Sequence, residues 1–211
     1  MVLGALGATR DLARLHDITS VFIRHGLGDV VRRAGVGGVL ERAGQMLSWR
    51  ESAESAQLDP PERVRMALEE LGPTFVKLGQ MLSTREDLFD RPWIEQFERL
   101  QSQASPLPFE KLLPQIEQTL GRPPQEVFDD LDTTPFASAS IAQVHRAKLP
   151  SGAPVVLKIR KPGIEKTVAA DLRILQHVVS LVESNVPEAR RFQPQRILAE
   201  FSRSLNRELD L

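Results

Sequence analysis

Residues 135–163 read PFASASIAQVHRAKLPSGAPVVLKIRKPG and decide the fold of the second half of this chain. The segments Ile141 to Leu149 and Val155 to Ile159 contain the β-branched and apolar residues that are typical of strands. Between them, Pro150-Ser151-Gly152 is typical of a turn. The sequence therefore predicts a β-hairpin whose second strand carries Lys158.

Four residues of this stretch have the spacing of the phosphate loop G-x-G-x-x-G-x-V of protein kinases, with alanine wherever that motif has glycine. They are Ala137, Ala139, Ala142 and Val144. The segment Val155 to Lys158 matches the kinase V-A-I-K strand, whose lysine pairs the nucleotide phosphates. Alanine allows fairly close approach of a ligand but resists the positive φ angles that glycine adopts, so we expect a stiffer loop.

A nucleotide phosphate cluster needs hydrogen-bond donors close to it and a cation that neutralises it. Lys158 would supply the cation, and Ser138 and Ser140 would add hydroxyl donors between the alanines. The alternative interpretation is a surface hairpin with one solvated lysine. The hairpin by itself does not decide between a nucleotide site and that alternative.

Two further motifs lie outside the hairpin. Residues 68–90 read LEELGPTFVKLGQMLSTREDLFD and contain the pattern K-x-G-Q from Lys77 to Gln80. Near the end of the chain, Glu208 and Asp210 form the pattern E-x-D. With the alanine-rich loop between them, these motifs resemble the UbiB/AarF/ADCK family of atypical kinase-like proteins, also called the ABC1 family. The resemblance runs from about Asp17 to the end of the chain.

The resemblance implies an α+β, mostly helical fold: a helical N-terminal extension followed by the small lobe of a protein-kinase-like fold, with an antiparallel sheet and helices. It divides the chain into an N-terminal helical segment and linker (1–59), a family-specific helical extension (60–130) and an incomplete kinase-like small lobe (131–211). The sequence contains no H-x-D catalytic loop and no D-F-G metal-binding motif. We therefore expect the N-terminal part of a longer protein, with the large lobe, catalytic residues and metal ligands outside it.

The implied function is ATP binding in an atypical kinase or ATPase that supports the biosynthesis of ubiquinone or a related isoprenoid-quinone lipid. Mg²⁺ is expected only together with the large lobe. By resemblance, the nucleotide-binding residues are Ala137, Ser138, Ala139, Ser140, Ala142, Val144, Val156 and Lys158. Val156 stands where the family has a small residue that faces the adenine ring. The alternative function is a non-catalytic scaffold that binds a nucleotide or a lipid for a quinone-biosynthesis complex.

The K-x-G-Q motif is implied to act as a gate. Lys77 and Gln80 are three residues apart and share a helix face, and Gly79 lets another element approach closely. Taken alone, Lys77 is usually a solvated cation and Gln80 a surface amide. By resemblance, their helix lies over the nucleotide cleft, and Glu208, in preference to Asp210, faces Lys77.

Composition limits the partners and the location. The formal net charge of −1 gives no reason to expect nucleic acid, which normally requires a basic surplus. Cysteine is absent, so thiolate metal sites are excluded. No run of 18 apolar residues is present, and the sequence predicts neither a transmembrane helix nor a signal peptide in this segment. We expect a protein that is cytoplasmic or peripheral to the inner face of a membrane, with an isoprenoid-quinone lipid or the membrane surface as further partners of the complete protein.

The remaining pattern is helical. Near the N-terminus, apolar residues recur at helical spacing and charged residues occupy the other faces: Leu12, Leu15, Ile18 and Phe22 on the one, and Arg10, Asp11, Arg14 and Asp17 on the others. We favour packing of this helix within its own domain over docking on a membrane or a partner. Gly35, Gly37 and Gly38 are predicted to end the helix. Helices are predicted to begin near Pro60, Pro73, Pro92, Pro108, Ile164 and Pro194. His145 is predicted to be a half-buried ring on a strand.

Overall fold

A computed structural model describes residues 9–42, 47, 57–100 and 106–210. The chain forms two units, of which the first comprises residues 1–100 and 168–206 and the second residues 101–167 and 207–211. Neither unit is continuous in sequence. The three ranges predicted from the sequence stay a prediction. The linker expected at the end of the range 1–59 lies mostly outside the described residues.

The first unit consists of helices and the segments that connect them, with no strand among its described residues. Two helices, α8 and α9, belong to it for most of their length and are separated by a 3₁₀ helix at Pro187–Phe192. The bounds are α1 Thr9–Arg24, α2 Gly28–Ala34, α3 Val36–Arg42, α4 Pro60–Leu71, α5 Pro73–Leu82, α6 Arg91–Glu98, α8 Ile164–Asn185 and α9 Pro194–Leu209. The helix starts predicted at prolines are confirmed, because proline fits the first turn, where its missing N–H costs nothing. Asp59 holds the N-cap position of α4, but its side chain makes no capping hydrogen bond.

Helix α1 packs inside the first unit, as favoured from its sequence. Leu15, Ile18 and Val21 are buried in a cluster that also includes residues of α2 to α6 and Ile174 of α8. Two ion pairs join α1 to α8: Arg14 Nε lies 2.7 Å from Asp171, and Arg173 lies 2.9 Å from Asp11. Both carboxylates are buried, and such carboxylates require partners of this kind because burial removes their water.

The prediction that Gly37 and Gly38 break the first helix is wrong. Helix α1 already ends at Arg24, with Gly26 in the left-handed region at a φ of 73°. Gly35 ends α2 in the same conformation, whereas Gly37 and Gly38 lie inside α3. A helical glycine costs about 1 kcal/mol relative to alanine, and the full burial of Val39 and Leu40 on this short helix offsets that cost.

The second unit contains helix α7 (Phe109–Leu120), a 3₁₀ helix (Pro124–Glu126) and, among its described residues, four antiparallel strands. The strands are β1 Asp130–Leu131, β2 Ala137–Ser138, β3 Ala142–Lys148 and β4 Pro154–Arg160. Strand β3 pairs with each of the others, and its pairing with β4 runs from Ala142↔Arg160 to Lys148↔Pro154. The predicted hairpin and its turn are therefore confirmed, as is the mostly helical α+β architecture.

The sheet has two different faces, because successive side chains of a strand alternate between them. On what we call the covered face, Leu157 and Ile159 of β4 pack against Leu112 and Ile116 of α7. On the open face, Val156 is 63% exposed and Lys158 is exposed. His145 points to the covered face and is fully buried, which corrects the prediction of a half-buried ring.

Among the residues described, no helix is both long enough and apolar enough to cross a membrane.

Candidate functional site

The strand register places three of the predicted nucleotide-binding residues in one row on the open face. Ala137 is directly opposite Val144, and Val144 is directly opposite Lys158. Directly opposed residues of antiparallel strands have their side chains on the same face. Lys158 is exposed, and its ammonium group has no ion pair or hydrogen bond to any other described residue. The row thus offers an uncommitted cation beside the alanine-rich loop.

The loop between β2 and β3 is tight and uses no left-handed residue. The Ala139 N–H donates to the Ala142 carbonyl at 2.8 Å, and the Lys161 N–H donates to the Ile141 carbonyl at 2.9 Å. Positive φ angles are found at glycines and at Gln193 in the described part of the chain, and so at none of the loop alanines. The loop therefore has the backbone conformations that alanine accepts, as its sequence predicts.

The two loop serines are placed differently from the expectation. Ser138 is paired with Gln143, whose fully buried side chain is on the covered face. The Ser138 Oγ is itself buried and has no hydrogen-bond partner in the described residues. The hydroxyl donor predicted at Ser138 is therefore not on the face of Lys158, because strand alternation directs it to the opposite side. Ser140, at the tip of the loop, is half-buried.

Phe136 and Arg146 also belong to the open face, and sequence reasoning missed both. The Phe136 N–H donates to the Val144 carbonyl at 3.0 Å, although Val144 is the pairing partner of Ala137. Two residues thus oppose one, as in a β-bulge, a feature common beside active sites. The Arg146 Cζ lies 5.0 Å from the centre of the Phe136 ring, which is 52% exposed. Only the three-dimensional register reveals this pair.

A groove lies beside this pair, at the end of the sheet away from the loop. Its volume is about 770 Å³, within the range of about 300–1,000 Å³ that is usual for small-molecule sites. It is lined by residues of β1, β3 and β4 and of the connection that follows β1, including Asp130, Asp132, Arg146, Lys148 and Val156. The Lys148 Nζ lies 3.6 Å from Asp130, so that lysine is already paired.

At the opposite end of β4, Arg160 fixes the E-x-D segment to the sheet. Its guanidinium donates to the Leu209 carbonyl at 2.6 Å and also pairs with Glu165. Glu208 is half-buried and Asp210 is exposed. Next to Arg160, burial lowers the pKa of the Lys161 ammonium, because the charged form loses contact with water.

The polar residues of the covered face are committed to the backbone. The Gln143 side chain accepts from the Leu107 N–H at 2.6 Å and donates to the Leu107 carbonyl at 3.2 Å. The His145 Nδ1 lies 2.9 Å from the Asp132 carbonyl, and its ring meets Phe109 edge-on, with 5.4 Å between centroids. Both side chains attach flanking segments to β3, a structural role that the sequence did not indicate.

In the first unit, two residues of the K-x-G-Q motif meet Leu100. A Cβ atom at Gly79 would lie 2.1 Å from the Leu100 Cδ1 and 2.9 Å from the Leu68 Cδ1, so the close approach predicted for this glycine exists. The Gln80 Nε2 donates to the Leu100 carbonyl at 2.9 Å. Lys77 is half-buried. Its pairing with Glu208 or Asp210 stays a prediction.

Comparison with known proteins agrees with these motifs. The ABC1 atypical kinase-like domain matches residues 99–211. The probable protein kinase UbiB of Aliivibrio salmonicida is 40% identical over 202 residues, which are 95% of this chain and 37% of that protein. The corresponding protein of Marinobacter nauticus is 38% identical over 200 residues, which are 95% of this chain and 36% of that protein.

A solved structure of Rv3197 from Mycobacterium tuberculosis in complex with erythromycin is 32% identical in sequence. The match covers 64% of this chain and 35% of that one, with a TM-score of 0.40. The chain thus spans a little over a third of the length of the curated relatives it matches. Because the domain match covers more than half of its residues, and because it includes the alanine-rich loop, the lysine strand and the E-x-D segment, the chain belongs to the ABC1 family of atypical kinase-like proteins.

Proposed function

We propose that this chain carries the phosphate-binding part of an ATP-dependent atypical kinase or ATPase of the UbiB type. The observation that supports the proposal is the row Ala137–Val144–Lys158 on the open face, where the cation has no competing partner in the described residues. A cation that is left without a carboxylate on an otherwise ordered strand is available to an anionic ligand. The neighbouring loop brings backbone groups next to it.

The residues fit a nucleotide in a specific way. Lys158 holds the phosphates, Ala137, Ala139 and Ala142 allow the loop backbone to approach them, and Val144 and Val156 offer apolar contact to the base. ATP, when bound, supplies the phosphoryl group that is transferred or hydrolysed. The stiff loop restricts the backbone positions around the phosphates, because alanine does not adopt the left-handed conformations open to glycine.

For the whole protein, we propose a role in the biosynthesis of ubiquinone or a related isoprenoid quinone, located in the cytoplasm or at the inner face of a membrane. The family resemblance supports this role. A quinone lipid or the membrane surface is the proposed second partner. Co-sedimentation of the full-length protein with quinone-containing vesicles, with quinone-free vesicles as the control, tests that partner directly.

The test of nucleotide binding is a titration of the full-length protein with a fluorescent ATP analogue in excess Mg²⁺. Lys158→Ala should weaken binding about 10-fold or more, because a charge-assisted contact to phosphate is lost. Lys111→Ala is the matched control, since Lys111 is an exposed lysine on α7, the helix that packs on the covered face. Lys111→Ala should leave the affinity unchanged.

Two outcomes would contradict the proposal. Unchanged affinity in Lys158→Ala would make this residue the solvated surface lysine of the alternative interpretation. Equal losses in both variants would reveal a general charge effect without a site. ATP binding that depends on Lys158, but with no phosphoryl transfer or hydrolysis in the full-length protein, would support the scaffold function over the enzyme.

A further inference from the structure

Arg146 is an exposed guanidinium that lies over an exposed aromatic ring. Its Cζ is 5.0 Å from the centroid of Phe136, and its guanidinium has no hydrogen bond or ion pair to any other residue in the part of the chain that the structure describes. The other arginine of the open face differs, because Arg160 is committed to Glu165 and to the Leu209 carbonyl. All the donors of Arg146 are therefore available to a ligand.

The position of Arg146 separates it from the proposed phosphate site. It lies two residues beyond Val144 on β3 and directly opposite Val156, whereas Val144 is opposite Lys158. Two residues along a strand correspond to about 7 Å, so Arg146 and Val156 form the next row of the open face. That row borders the groove of about 770 Å³.

The groove favours an uncharged group over a phosphate. Asp130 and Asp132 contribute to its lining together with Arg146 and Lys148, and Lys148 is paired with Asp130. The two carboxylates and the two cations cancel, so the lining carries no net positive charge that would attract a polyanion. The exposed surfaces of Phe136 and Val156 suit an apolar, planar ligand such as a nucleobase. A guanidinium that already lies on one aromatic ring stacks readily on a second planar ring.

We propose that Arg146, supported by Phe136, binds the nucleobase of the nucleotide by stacking and gives the site a preference for purines over pyrimidines. This inference rests on the proposed function, because it requires the phosphates to lie at Lys158. Stacking on an arginine plane or an aromatic ring tolerates different bases and increases with the area of the base, so adenine and guanine should both bind better than cytosine. Arg146 thereby contributes to the affinity for nucleotide without contacting the phosphates.

The experiment compares ATP with inorganic tripolyphosphate, which has no base, by calorimetric titration of the full-length protein in excess Mg²⁺. Arg146→Ala should weaken ATP binding about 10-fold and leave tripolyphosphate binding unchanged. Arg146→Lys should lose as much as Arg146→Ala, because lysine keeps the charge but has no planar group to stack. Lys158→Ala should weaken both ligands. Arg122→Ala, which removes an exposed arginine outside the sheet and the groove, is the control and should change neither.

Phe136→Leu provides a second variant, which keeps an apolar side chain but removes the ring that supports the guanidinium. It should weaken ATP binding and reduce the preference for ATP and GTP over CTP, again without an effect on tripolyphosphate. Thermal melts should show that these variants remain folded, because both side chains are exposed.

The outcomes separate this inference from the proposed function. Equal weakening of ATP and tripolyphosphate by Arg146→Ala would make Arg146 a phosphate ligand and overturn the inference. Full ATP affinity in Arg146→Lys would attribute its effect to charge and overturn stacking. Lys158→Ala could weaken both ATP and tripolyphosphate while Arg146→Ala and Phe136→Leu bind ATP like the wild type. That result would support the phosphate site and overturn the role of Arg146 and Phe136 in binding the nucleobase. If the wild type binds neither ATP nor tripolyphosphate, the proposed function is contradicted, and this inference is contradicted with it.

Discussion

The K-x-G-Q segment of α5 and the open face of the sheet both carry family motifs, but their side chains are used in different ways. In α5, Gly79 makes room for Leu100 and Leu68, and Gln80 donates to the Leu100 carbonyl. On the open face, the side chains of Lys158 and Arg146 have no hydrogen bond or ion pair among the described residues. Two residues of the first motif therefore hold the helices of the first unit in place, whereas the open face has exposed cationic side chains that no residue of the described chain binds.

This difference teaches that a family motif does not identify a ligand site by itself. The residues of α5 are partly or fully buried, and at least two of them contribute to packing. The exposed side chains of Lys158, Arg146 and Val156 contribute little to packing, and the proposed ligand binding would explain their presence. Substitutions should separate the two regions: those in α5 should reduce stability, and those on the open face should reduce binding while leaving stability nearly unchanged.

The largest effect on stability is expected for Gly79→Ala. The new Cβ would overlap with the Leu100 and Leu68 side chains, both of which are buried, and overpacking of this kind costs about 1–3 kcal/mol. Denaturant unfolding of the variant and the wild type measures the loss.

A background substitution checks the cause. In a Leu100→Ala background the overlap with Leu100 is removed, so Gly79→Ala should cost much less there than in the wild type. If Gly79→Ala lowers the free energy of unfolding equally in both backgrounds, contact with Leu100 does not explain why residue 79 is glycine. The packing role of this motif would then have to be abandoned.

The next largest effect is expected for Gln80→Ala. It leaves the Leu100 carbonyl without its donor and should reduce the free energy of unfolding by about 1 kcal/mol. Gln80→Glu, which keeps the length of the side chain but cannot donate when ionised, should lose at least as much. Wild-type stability in Gln80→Glu would mean that this hydrogen bond contributes nothing.

Ala139→Gly should have a smaller effect on stability and a clear effect on binding. Glycine adds conformational freedom to the unfolded chain, which costs about 0.4–1 kcal/mol. The substitution also gives the loop access to left-handed conformations, so the ratio of ATP to ADP affinity should change, or autophosphorylation should appear in the full-length protein. Titration with both nucleotides and a phosphorylation assay measure these effects. An unchanged ratio and no phosphorylation would count against a gating role for the loop.

The smallest effects on stability are expected for Lys158→Ala and Arg146→Ala. Exposed side chains away from special features change the free energy of unfolding by about 0.5 kcal/mol or less. Denaturation midpoints close to that of the wild type, combined with the binding losses given above, would place both residues among ligand contacts. A loss of more than 1 kcal/mol in either variant would show that the open face supports the fold, and the contrast with α5 would fail.

The sequence predicted the local structure well and the long-range structure poorly. The hairpin was predictable because β-branched residues flank Pro150-Ser151-Gly152. Most of the helix starts were predictable because proline is favoured in the first turn of a helix. The stiff loop was predictable because its residue type restricts φ. In each case neighbours in sequence determine the outcome.

Features that depend on distant residues were missed. The bulge that brings Phe136 under Arg146 depends on the register of β2 against β3, and the burial of the Ser138 hydroxyl has the same origin. Gln143 was not recognised because its partner, Leu107, is 36 residues away. Asp11 was placed on a polar face because its partner, Arg173, is 162 residues away.

Hydrogen–deuterium exchange of the full-length protein with and without ATP and Mg²⁺ tests the central claim most directly. At an ATP concentration of about 100 times the Kd, amides that exchange only from the ligand-free state should exchange about 100-fold more slowly. We predict this protection in residues 136–146 and 155–161, and at the same ATP concentration a protection weaker by about 10-fold or more in Lys158→Ala. Binding of ATP without protection of these two segments, or undiminished protection in Lys158→Ala, would show that the open face is not the phosphate site.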